Sequence, residues 1–293
     1  MLFVIGILNL NTMIINPNKY LNDAYKNHYA IGAFNTSSLE ITQAIFEAAA
    51  KLQAPIFIQI SQKAIDYAGL DNLISIIKNE DKLYKIPVFL HGDHFTNLEI
   101  IKECLKAGFT SIMFDGSKLD FLENISMTQK VVREAKKYNA AVEAELGSVG
   151  GSEDYIKNKA QMSDPEKALQ FIEETGIDSL AVAFGNAHGI PNAKEKLDFK
   201  LLEKINKIVK IPLVFHGASS TKSTDIIRAI SLGIAKINID TDIRLAFSNC
   251  IKKFQTSHPD IYDPREILTS AKEAVKKIVE EKIKLFELER KKL

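Results

Sequence analysis

The sequence predicts one α/β domain that folds as a (β/α)8 barrel (a TIM barrel) with extra C-terminal helices. Eight short apolar runs alternate with longer amphipathic runs, and no Pro- or Gly-rich linker divides the 293 residues. A doubly wound open sheet is the alternative fold, but no Gly-x-Gly-x-x-Gly turn follows the first apolar run.

The eight predicted strands are nearly continuous apolar runs, which is typical of parallel strands buried on both faces. Right-handed crossovers are expected between them. They read AIGAFN (30–35), PIFIQIS (55–61), PVFLHGD (87–93), SIMFDGS (111–117), AVEAELG (141–147), SLAVAFG (179–185), IPLVFHG (211–217) and IAKINID (234–240).

Helix-like segments separate these strands, and several carry start and stop signals. DPEKALQFIEETG (164–176) has Asp164 as its N-cap, Pro165 in the first helical position and Gly176 as its stop. Comparable segments are SLEITQAIFEAAAKL (38–52), NLEIIKECLKAG (97–108) and TKSTDIIRAISLG (221–233). Two further helices, at about 241–256 and 264–290, follow the eighth strand, and the last can pack on the barrel or on another subunit.

Composition narrows the classes of partner. The formal net charge is +1, from 38 basic and 37 acidic residues, so neither nucleic acid nor a membrane is expected as a partner. Cys104 and Cys250 fall in helix-like stretches, which predicts reduced thiols in the cytoplasm. Residues 1–12 are predicted to be an apolar N-terminal extension, too short to span a bilayer, before a domain at 13–293.

Ionisable residues concentrate at the predicted carboxyl ends of the strands, where barrel enzymes place their chemistry. His94, His188 and His216 follow three different strands, so they can supply three neutral imidazoles to a divalent metal, the pattern of catalytic zinc. Asp93, beside His94, is predicted to be either a partner of a ligand or a general base. His91 shares the side of Asp93 one layer deeper, where a supporting hydrogen bond is expected.

Three loops near these residues predict contacts with a substrate. The Gly-rich stretch ELGSVGGSED (145–154) predicts a mobile lid. The turns in FHGASSTKSTDIIRA (215–229) and NIDTDIR (238–244) offer backbone N–H groups at helix starts, which favours phosphate. Lys236 leaves a Schiff-base mechanism open, although a lysine that leans along its strand or sits at the strand's solvated end is the simpler interpretation.

Together these segments resemble one enzyme family. YAIGAFN, FLHGDH, SIMFDGS, VEAELGSVGGSED, FGNAHG, FHGAS, KINIDTDIRLAF and DPREIL resemble class II, zinc-dependent fructose-bisphosphate aldolases, a family that includes tagatose-bisphosphate aldolases. The resemblance covers about residues 13–288. It implies a TIM barrel that reversibly cleaves fructose 1,6-bisphosphate to dihydroxyacetone phosphate and glyceraldehyde 3-phosphate in glycolysis and gluconeogenesis. It also implies a cytoplasmic homodimer or homotetramer.

The resemblance implies catalytic roles for individual residues. Asp93 matches the aspartate that moves a proton at the C4 hydroxyl, and Glu153 matches the lid glutamate that exchanges a proton on dihydroxyacetone phosphate. The implied Zn²⁺ ligands are His94, His188 and His216, with Glu145 approaching the metal in an alternative position.

The resemblance implies substrate contacts as well. Asn35 and Asn238 match the residues that hold the enediolate. The residues that match the ketose-phosphate pocket, which has a monovalent cation (Na⁺ or K⁺) nearby, are Gly189, Gly217, Ser219, Asp240 and Thr241. Those that match the site of the other phosphate are Ser61, Arg244 and Arg265, of which Arg265 can act across a subunit interface.

The sequence departs from the family pattern at a few positions. Ser220, in the predicted phosphate turn, replaces a common glycine. Ser152, in the predicted lid, stands where an acidic or amide residue is frequent. Residues 1–12 have no counterpart. Tagatose 1,6-bisphosphate aldolase is the alternative activity, whereas Asp240 and Arg244 favour the fructose form. The sequence also leaves open a Schiff-base aldolase, a different metal-dependent barrel such as a hydrolase, and a non-catalytic binding role.

Overall fold

The computed structural model describes residues 12–153, 156–158, 160–189 and 196–288, with the backbone alone for 152, 153 and 156–158. Eight parallel strands close a barrel, as the sequence predicts, and β1 pairs with β10 to complete it. The barrel strands are β1 (Ile31–Asn35), β2 (Ile56–Ser61), β3 (Val88–Phe95), β4 (Ser111–Phe114), β5 (Ala141–Leu146), β8 (Ser179–Val182), β9 (Leu213–Phe215) and β10 (Ile234–Ile239).

Two further strands, β6 (Gly151–Glu153) and β7 (Ile156–Asn158), form an antiparallel hairpin that begins in the Gly-rich stretch and extends past it. The helices surround the barrel and extend past its last strand. They are α1 (Asn18–Lys26), α2 (Leu39–Leu52), α3 (Gln62–Ala68), α4 (Leu70–Tyr84), α5 (Leu98–Ala107), α6 (Phe121–Lys136), α7 (Pro165–Thr175), α8 (Phe199–Val209), α9 (Ser223–Ser231), α10 (Thr241–Ser257) and α11 (Pro264–Phe286).

The boundaries of α7 follow the predicted capping signals, whereas α9 begins after Lys222 without a side-chain cap and has Leu232 as its C-cap. The Asp164 side chain accepts hydrogen bonds from the backbone N–H groups of Glu166 and Lys167, at 2.9 and 3.0 Å. Gly176 ends α7 in the left-handed region, at φ 67°. Polar side chains and glycine therefore satisfy backbone groups that the helix itself leaves without partners.

The strands place side chains alternately inside the barrel and against the helices. On β3, Val88 and Leu90 belong to the outer core, whereas Phe89 packs inside against Phe57, with ring centroids 4.8 Å apart. Helix α1 was not predicted, and its Leu21 packs with this inner cluster. The amino-terminal end of the barrel is therefore filled with apolar side chains, and the polar side chains lie toward the opposite end.

The last helix, α11, packs on the barrel domain. Val275 and Val279 are buried in the main core, and ion pairs join α11 to α2. The sequence allowed this helix to pack on the barrel or on another subunit. In the structure it packs on the barrel. No helix in the described parts of the chain has both the length and the apolar character that crossing a bilayer requires.

Candidate metal centre and active site

Three histidines from separate strand ends meet at the carboxyl end of the barrel. His94 lies near the end of β3, His188 in the turn after β8, and His216 directly after β9. Each offers one ring nitrogen, and these three nitrogens all lie within 4.8 Å of one another. The ring centroids of His94 and His216 are 4.7 Å apart. The fold thus brings the predicted zinc ligands into one cluster.

The backbone of His94 has an unusual conformation. Its φ is 53°, in the left-handed region that a residue with a Cβ rarely adopts. The pairing of β3 with β4 shifts register between Gly92 and Phe95, across this residue. The irregularity lets Asp93 and His94, which are adjacent in sequence, both direct polar atoms into the mouth of the barrel.

The hydrogen bonds of His94 and His216 suit a metal centre. His94 Nδ1 lies 2.9 Å from Asp115 Oδ2, and His216 Nε2 lies 2.7 Å from Glu143 Oε1. The remaining nitrogens, His94 Nε2 and His216 Nδ1, face each other at 2.9 Å. A carboxylate on the far nitrogen is the usual support of a metal-ligating histidine. Three imidazoles in this arrangement fit Zn²⁺.

Burial and neighbouring charges set the protonation of the cluster. Burial, with His94 and Lys236 nearby, holds the pKa of His216 well below its ordinary value, so this ring is neutral near pH 7. Burial also opposes the charged form of His94, but Asp93 and Asp115 outweigh it and raise the pKa of His94. A metal ion that binds His94 must therefore displace a proton.

Glu145 forms a second possible metal group with His94 and Asp115. Its Oε1 accepts a hydrogen bond from the Val149 N–H at 3.1 Å, whereas its Oε2 has no hydrogen-bond partner among the described residues. Burial, followed by the charge of Asp115, raises the pKa of Glu145 to about 8. A buried carboxylate oxygen without a partner is the kind of group that a cation would satisfy. The geometry fits the alternative ligand position predicted for Glu145.

Asp93 is held by two amide side chains. Asn35 Nδ2 donates to Asp93 Oδ2 at 2.8 Å, and Asn238 Nδ2 lies 3.5 Å from Asp93 Oδ1. Gln59 Nε2 in turn donates to Asn35 Oδ1 at 2.9 Å. Asp93 therefore contacts both asparagines that are predicted to hold the enediolate.

A cavity opens beside this cluster. Every residue that lines it belongs to the predicted site. They are Asn35, Asp93, His94, His188, Gly189, Gly217, Ser219, Asn238, Asp240 and Thr241.

A second cavity shares Asn35 and Asp240 with the first. It is lined by Ser61 and Arg244, which are predicted to bind the other phosphate. A ligand with two anionic ends can therefore extend from the cavity beside the histidines into the adjoining one.

Comparisons with known proteins identify the family. The family model described as "Fructose-bisphosphate aldolase class-II" matches residues 15–291. The chain belongs to the class II fructose-bisphosphate aldolase family. Its members are lyases that act on sugar phosphates, and family membership supports the same general chemistry for this enzyme.

Solved structures agree with this assignment. The YdjI aldolase from Escherichia coli K12 is 34% identical, with a TM-score of 0.83 over 93% of this chain and 97% of its own. A putative fructose-1,6-bisphosphate aldolase from Coccidioides immitis is 29% identical, with a TM-score of 0.83 over 92% and 95%. Fructose-bisphosphate aldolase from Campylobacter jejuni is 28% identical, with a TM-score of 0.81 over 94% and 96%.

The turn after β9 explains the glycine pattern of this aldolase family. Gly217 has φ 65°, and a Cβ there would overlap the carbonyl oxygen of Ala187. Ser220, which replaces a common glycine, has φ 60°. Its Oγ donates to Asp242 Oδ1, and its N–H donates to Asp242 Oδ2, both at 3.1 Å. These bonds hold a conformation that glycine adopts more readily.

Three described side chains of the predicted site line neither cavity, namely His216 and Glu145, which belong to the metal groups, and Arg265. Arg265 is exposed at the start of α11, where it pairs with Asp263 at 2.6 Å, and it lines neither cavity. Glu153 lies in β6, and its side chain is outside the described residues. The base of that hairpin contacts the site, because the His188 N–H donates to the Gly150 carbonyl at 2.8 Å.

Three buried polar residues beneath the site received no role from the sequence, namely Asp115, Glu143 and Gln59. Asp115 and Glu143 are acidic residues at or near strand ends in otherwise apolar runs. This pattern was the only sequence signal that could have indicated a role for them. Lys236 does not sit at a solvated strand end. It is fully buried, pairs with Glu143 at 2.9 Å and leans along β10 to donate to Asn238, so of the two placements in the simpler interpretation the structure has the lysine that leans along its strand. His91, as expected, makes a supporting hydrogen bond, to Ser111 Oγ at 2.8 Å.

Proposed function

We propose that the protein catalyses the zinc-dependent, reversible aldol cleavage of fructose 1,6-bisphosphate to dihydroxyacetone phosphate and glyceraldehyde 3-phosphate. The supporting observation is the meeting of three histidine nitrogens within 4.8 Å beside Asp93, at a cavity that adjoins a second one through Asn35 and Asp240. Two adjoining cavities, one of them lined by His94 and His188, suit a sugar with a phosphate at each end. The reaction belongs to glycolysis and gluconeogenesis, and we propose a cytoplasmic homo-oligomer.

His94, His188 and His216 would hold Zn²⁺, with Glu145 as the alternative ligand. When bound, zinc supplies a Lewis acid that draws electron density toward the ketose carbonyl and so favours breakage of the C3–C4 bond. The carboxylates of Asp115 and Glu143 orient two of these rings through the nitrogens that face away from the cluster.

Asp93 begins the cleavage by accepting the proton of the C4 hydroxyl. The C4–O bond becomes the carbonyl of glyceraldehyde 3-phosphate, and the electron pair of the C3–C4 bond stays with C3. Glu153 then delivers a proton to C3, which completes dihydroxyacetone phosphate. Asn35 and Asn238 orient Asp93 and the three-carbon fragment, and the hydrogen bonds of both amides to Asp93 support this role.

The two phosphates fix the sugar across the centre, which reduces the entropy lost on reaching the transition state. Gly189, Gly217, Ser219, Asp240 and Thr241 would bind the ketose phosphate, together with Na⁺ or K⁺. Helix α10 begins at Thr241, where the side chain of its N-cap Asp240 makes no hydrogen bond to the helix and Ser219 Oγ accepts from the Asp242 N–H at 3.2 Å. The dipole of this helix start favours an anion. Ser61, Arg244 and Arg265 would bind the other phosphate, with Arg265 acting across a subunit interface.

Tagatose 1,6-bisphosphate is the second candidate substrate. It differs from the fructose compound only in the configuration at C4, so the same residues apply. Asp240 pairs with Arg244 through two contacts, at 2.8 and 2.7 Å, next to the cavity assigned to the aldehyde end. The NIDTDIR sequence, which contains this pair, favours fructose.

One experiment tests the proposal. Purified protein is assayed for bound zinc and for cleavage of both bisphosphates, with and without a chelator. We expect zinc, faster cleavage of fructose 1,6-bisphosphate, and loss of activity that added zinc restores. Activity that survives complete zinc removal would contradict the metal mechanism. Faster cleavage of tagatose 1,6-bisphosphate would make that epimer, instead of the fructose compound, the preferred substrate. Borohydride trapping tests the Schiff-base alternative, which the buried ion pair of Lys236 disfavours.

A further inference from the structure

A polar chain runs beneath the active site and joins a predicted zinc ligand to a predicted substrate amide. Glu143 and Lys236 form its centre, and both side chains are at most 1% exposed. Lys236 Nζ lies 2.9 Å from Glu143 Oε2 and donates to Asn238 Oδ1 at 2.9 Å. Glu143 Oε1 lies 2.7 Å from His216 Nε2. The Glu143–Lys236 ion pair thus contacts both a predicted zinc ligand, His216, and a predicted substrate-binding residue, Asn238.

The geometry fixes how the groups share their protons. An ionised carboxylate can only accept, so His216 Nε2 must carry the hydrogen in the bond to Glu143. His216 Nδ1 then presents its lone pair toward His94 and His188. In the same way, the Lys236 ammonium can only donate, so Asn238 must turn its carbonyl oxygen to Lys236. Its NH₂ group is thereby directed toward Asp93.

We propose that the Glu143–Lys236 pair is a positioning device. Glu143 selects the tautomer of His216 that binds zinc, and Lys236 fixes the amide orientation of Asn238. The inference rests on the proposed function, because it gives His216 and Asn238 their roles there. Neither Glu143 nor Lys236 touches the reacting atoms.

A different interpretation is that the pair only stabilises the core. Buried ion pairs are often no more stable than apolar replacements, so stability alone gives a weak reason for their presence. The contacts of this pair also end on two residues of the predicted site. A purely stabilising pair predicts effects on unfolding alone, whereas a positioning pair predicts separate effects on zinc affinity and on turnover.

The experiment compares zinc affinity and kinetics in Glu143→Gln, Glu143→Asp and Lys236→Met. Glu143→Asp keeps the buried charges balanced but shortens the side chain by one methylene group. It therefore tests the inference even if the other two variants do not fold. Zinc affinity is measured by competition with a chromophoric chelator. Cobalt(II), loaded in place of zinc, reports ligand geometry through its visible absorption. Glu47→Gln, which removes an ion pair between α2 and α11 far from the predicted ligands, is the control.

We expect Glu143→Gln and Glu143→Asp to weaken zinc binding by about 10- to 100-fold and to change the cobalt spectrum. Lys236→Met should lower kcat at saturating zinc by about tenfold. Glu47→Gln should leave zinc affinity and kcat unchanged. Wild-type zinc affinity and cobalt spectra in both Glu143 variants would overturn the inference while leaving the proposed function intact. Absence of zinc binding by the wild-type protein would instead contradict the proposed function.

Discussion

Asp93 shows how much one side chain depends on its neighbours. It is 2% exposed, yet it remains available to the cavity beside the histidines. Asn35 and Asn238 each direct an amide toward one of its oxygens. Such bonds hold the carboxylate in one orientation, which a proton acceptor in a defined transition state requires.

Asp93→Ala should abolish most cleavage while retaining zinc. The variant loses the proposed proton acceptor, which contributes about 10²- to 10⁴-fold to rate in comparable enzymes. The histidine contacts to Asp115 and Glu143 are untouched. The measurements are metal content and turnover of fructose 1,6-bisphosphate. Near wild-type turnover would show that another group accepts the proton.

At the scale of elements, α11 is attached to the barrel by charge as well as by apolar packing. Glu47 on α2 pairs with Lys272 and Lys276 on α11, at 2.9 and 2.7 Å. All three side chains are 20–24% exposed. Burial opposes the charged form of Glu47, but the bonds to the two lysines outweigh it and lower the pKa of Glu47 from its ordinary value.

Glu47→Gln should lower the free energy of unfolding by about 1 kcal/mol at pH 7, because two partly buried lysines lose their partner. A lowered pKa in the folded state stabilises the protein above the unfolded pKa, and this contribution disappears as pH falls through the folded pKa. The difference between wild type and variant should therefore shrink below about pH 4. Urea denaturation of the wild type and the variant, at pH 7 and below about pH 4, measures this difference in the free energy of unfolding.

Glu203→Gln is the matched control for this prediction. Glu203 pairs with Lys207 within α8, and both side chains are largely exposed. Solvent screens such a pair, so we expect a smaller change in stability than for Glu47→Gln. Equal changes in the two variants would show that partial burial adds nothing to the α2–α11 ion pairs, and a pH-independent difference for Glu47→Gln would show that the charge of Glu47 is not what stabilises the fold.

For the whole molecule, the proposed zinc site links three distant parts of the chain. Any ligand that binds only the folded state stabilises it by mass action, by about 4 kcal/mol when its free concentration is 1,000 times its Kd. Removing zinc with a chelator should therefore lower the melting temperature, and added zinc should restore it. Differential scanning calorimetry measures the change.

His216→Ala provides the control for the calorimetry. It removes one of the three clustered nitrogens, so its melting temperature should respond little to zinc or chelator. An equal response in wild type and His216→Ala would place the stabilising metal elsewhere. A wild-type melting temperature that ignores the chelator would argue against a bound metal.

Much of the barrel could be predicted because its signals are local. Strand 3 is an apolar run with a two-residue alternation, and α7 carries its cap, proline and terminal glycine within 13 residues (164–176). Helix α1 and the β6–β7 hairpin lacked signals of this kind. The start of the domain at residue 13 stays a prediction, since residues 1–11 lie outside the described part of the chain.

The sequence by itself determined the eight-stranded barrel and the side chains at its mouth, because hydrophobic period and residue type are local properties. The meeting of His94, His188 and His216 required the closed barrel, since 122 residues separate His94 from His216. The left-handed backbone of His94 and the ion pair of Glu143 with Lys236 were decided by tertiary structure alone. They depend on register and on burial, which arise only when distant strands pack together.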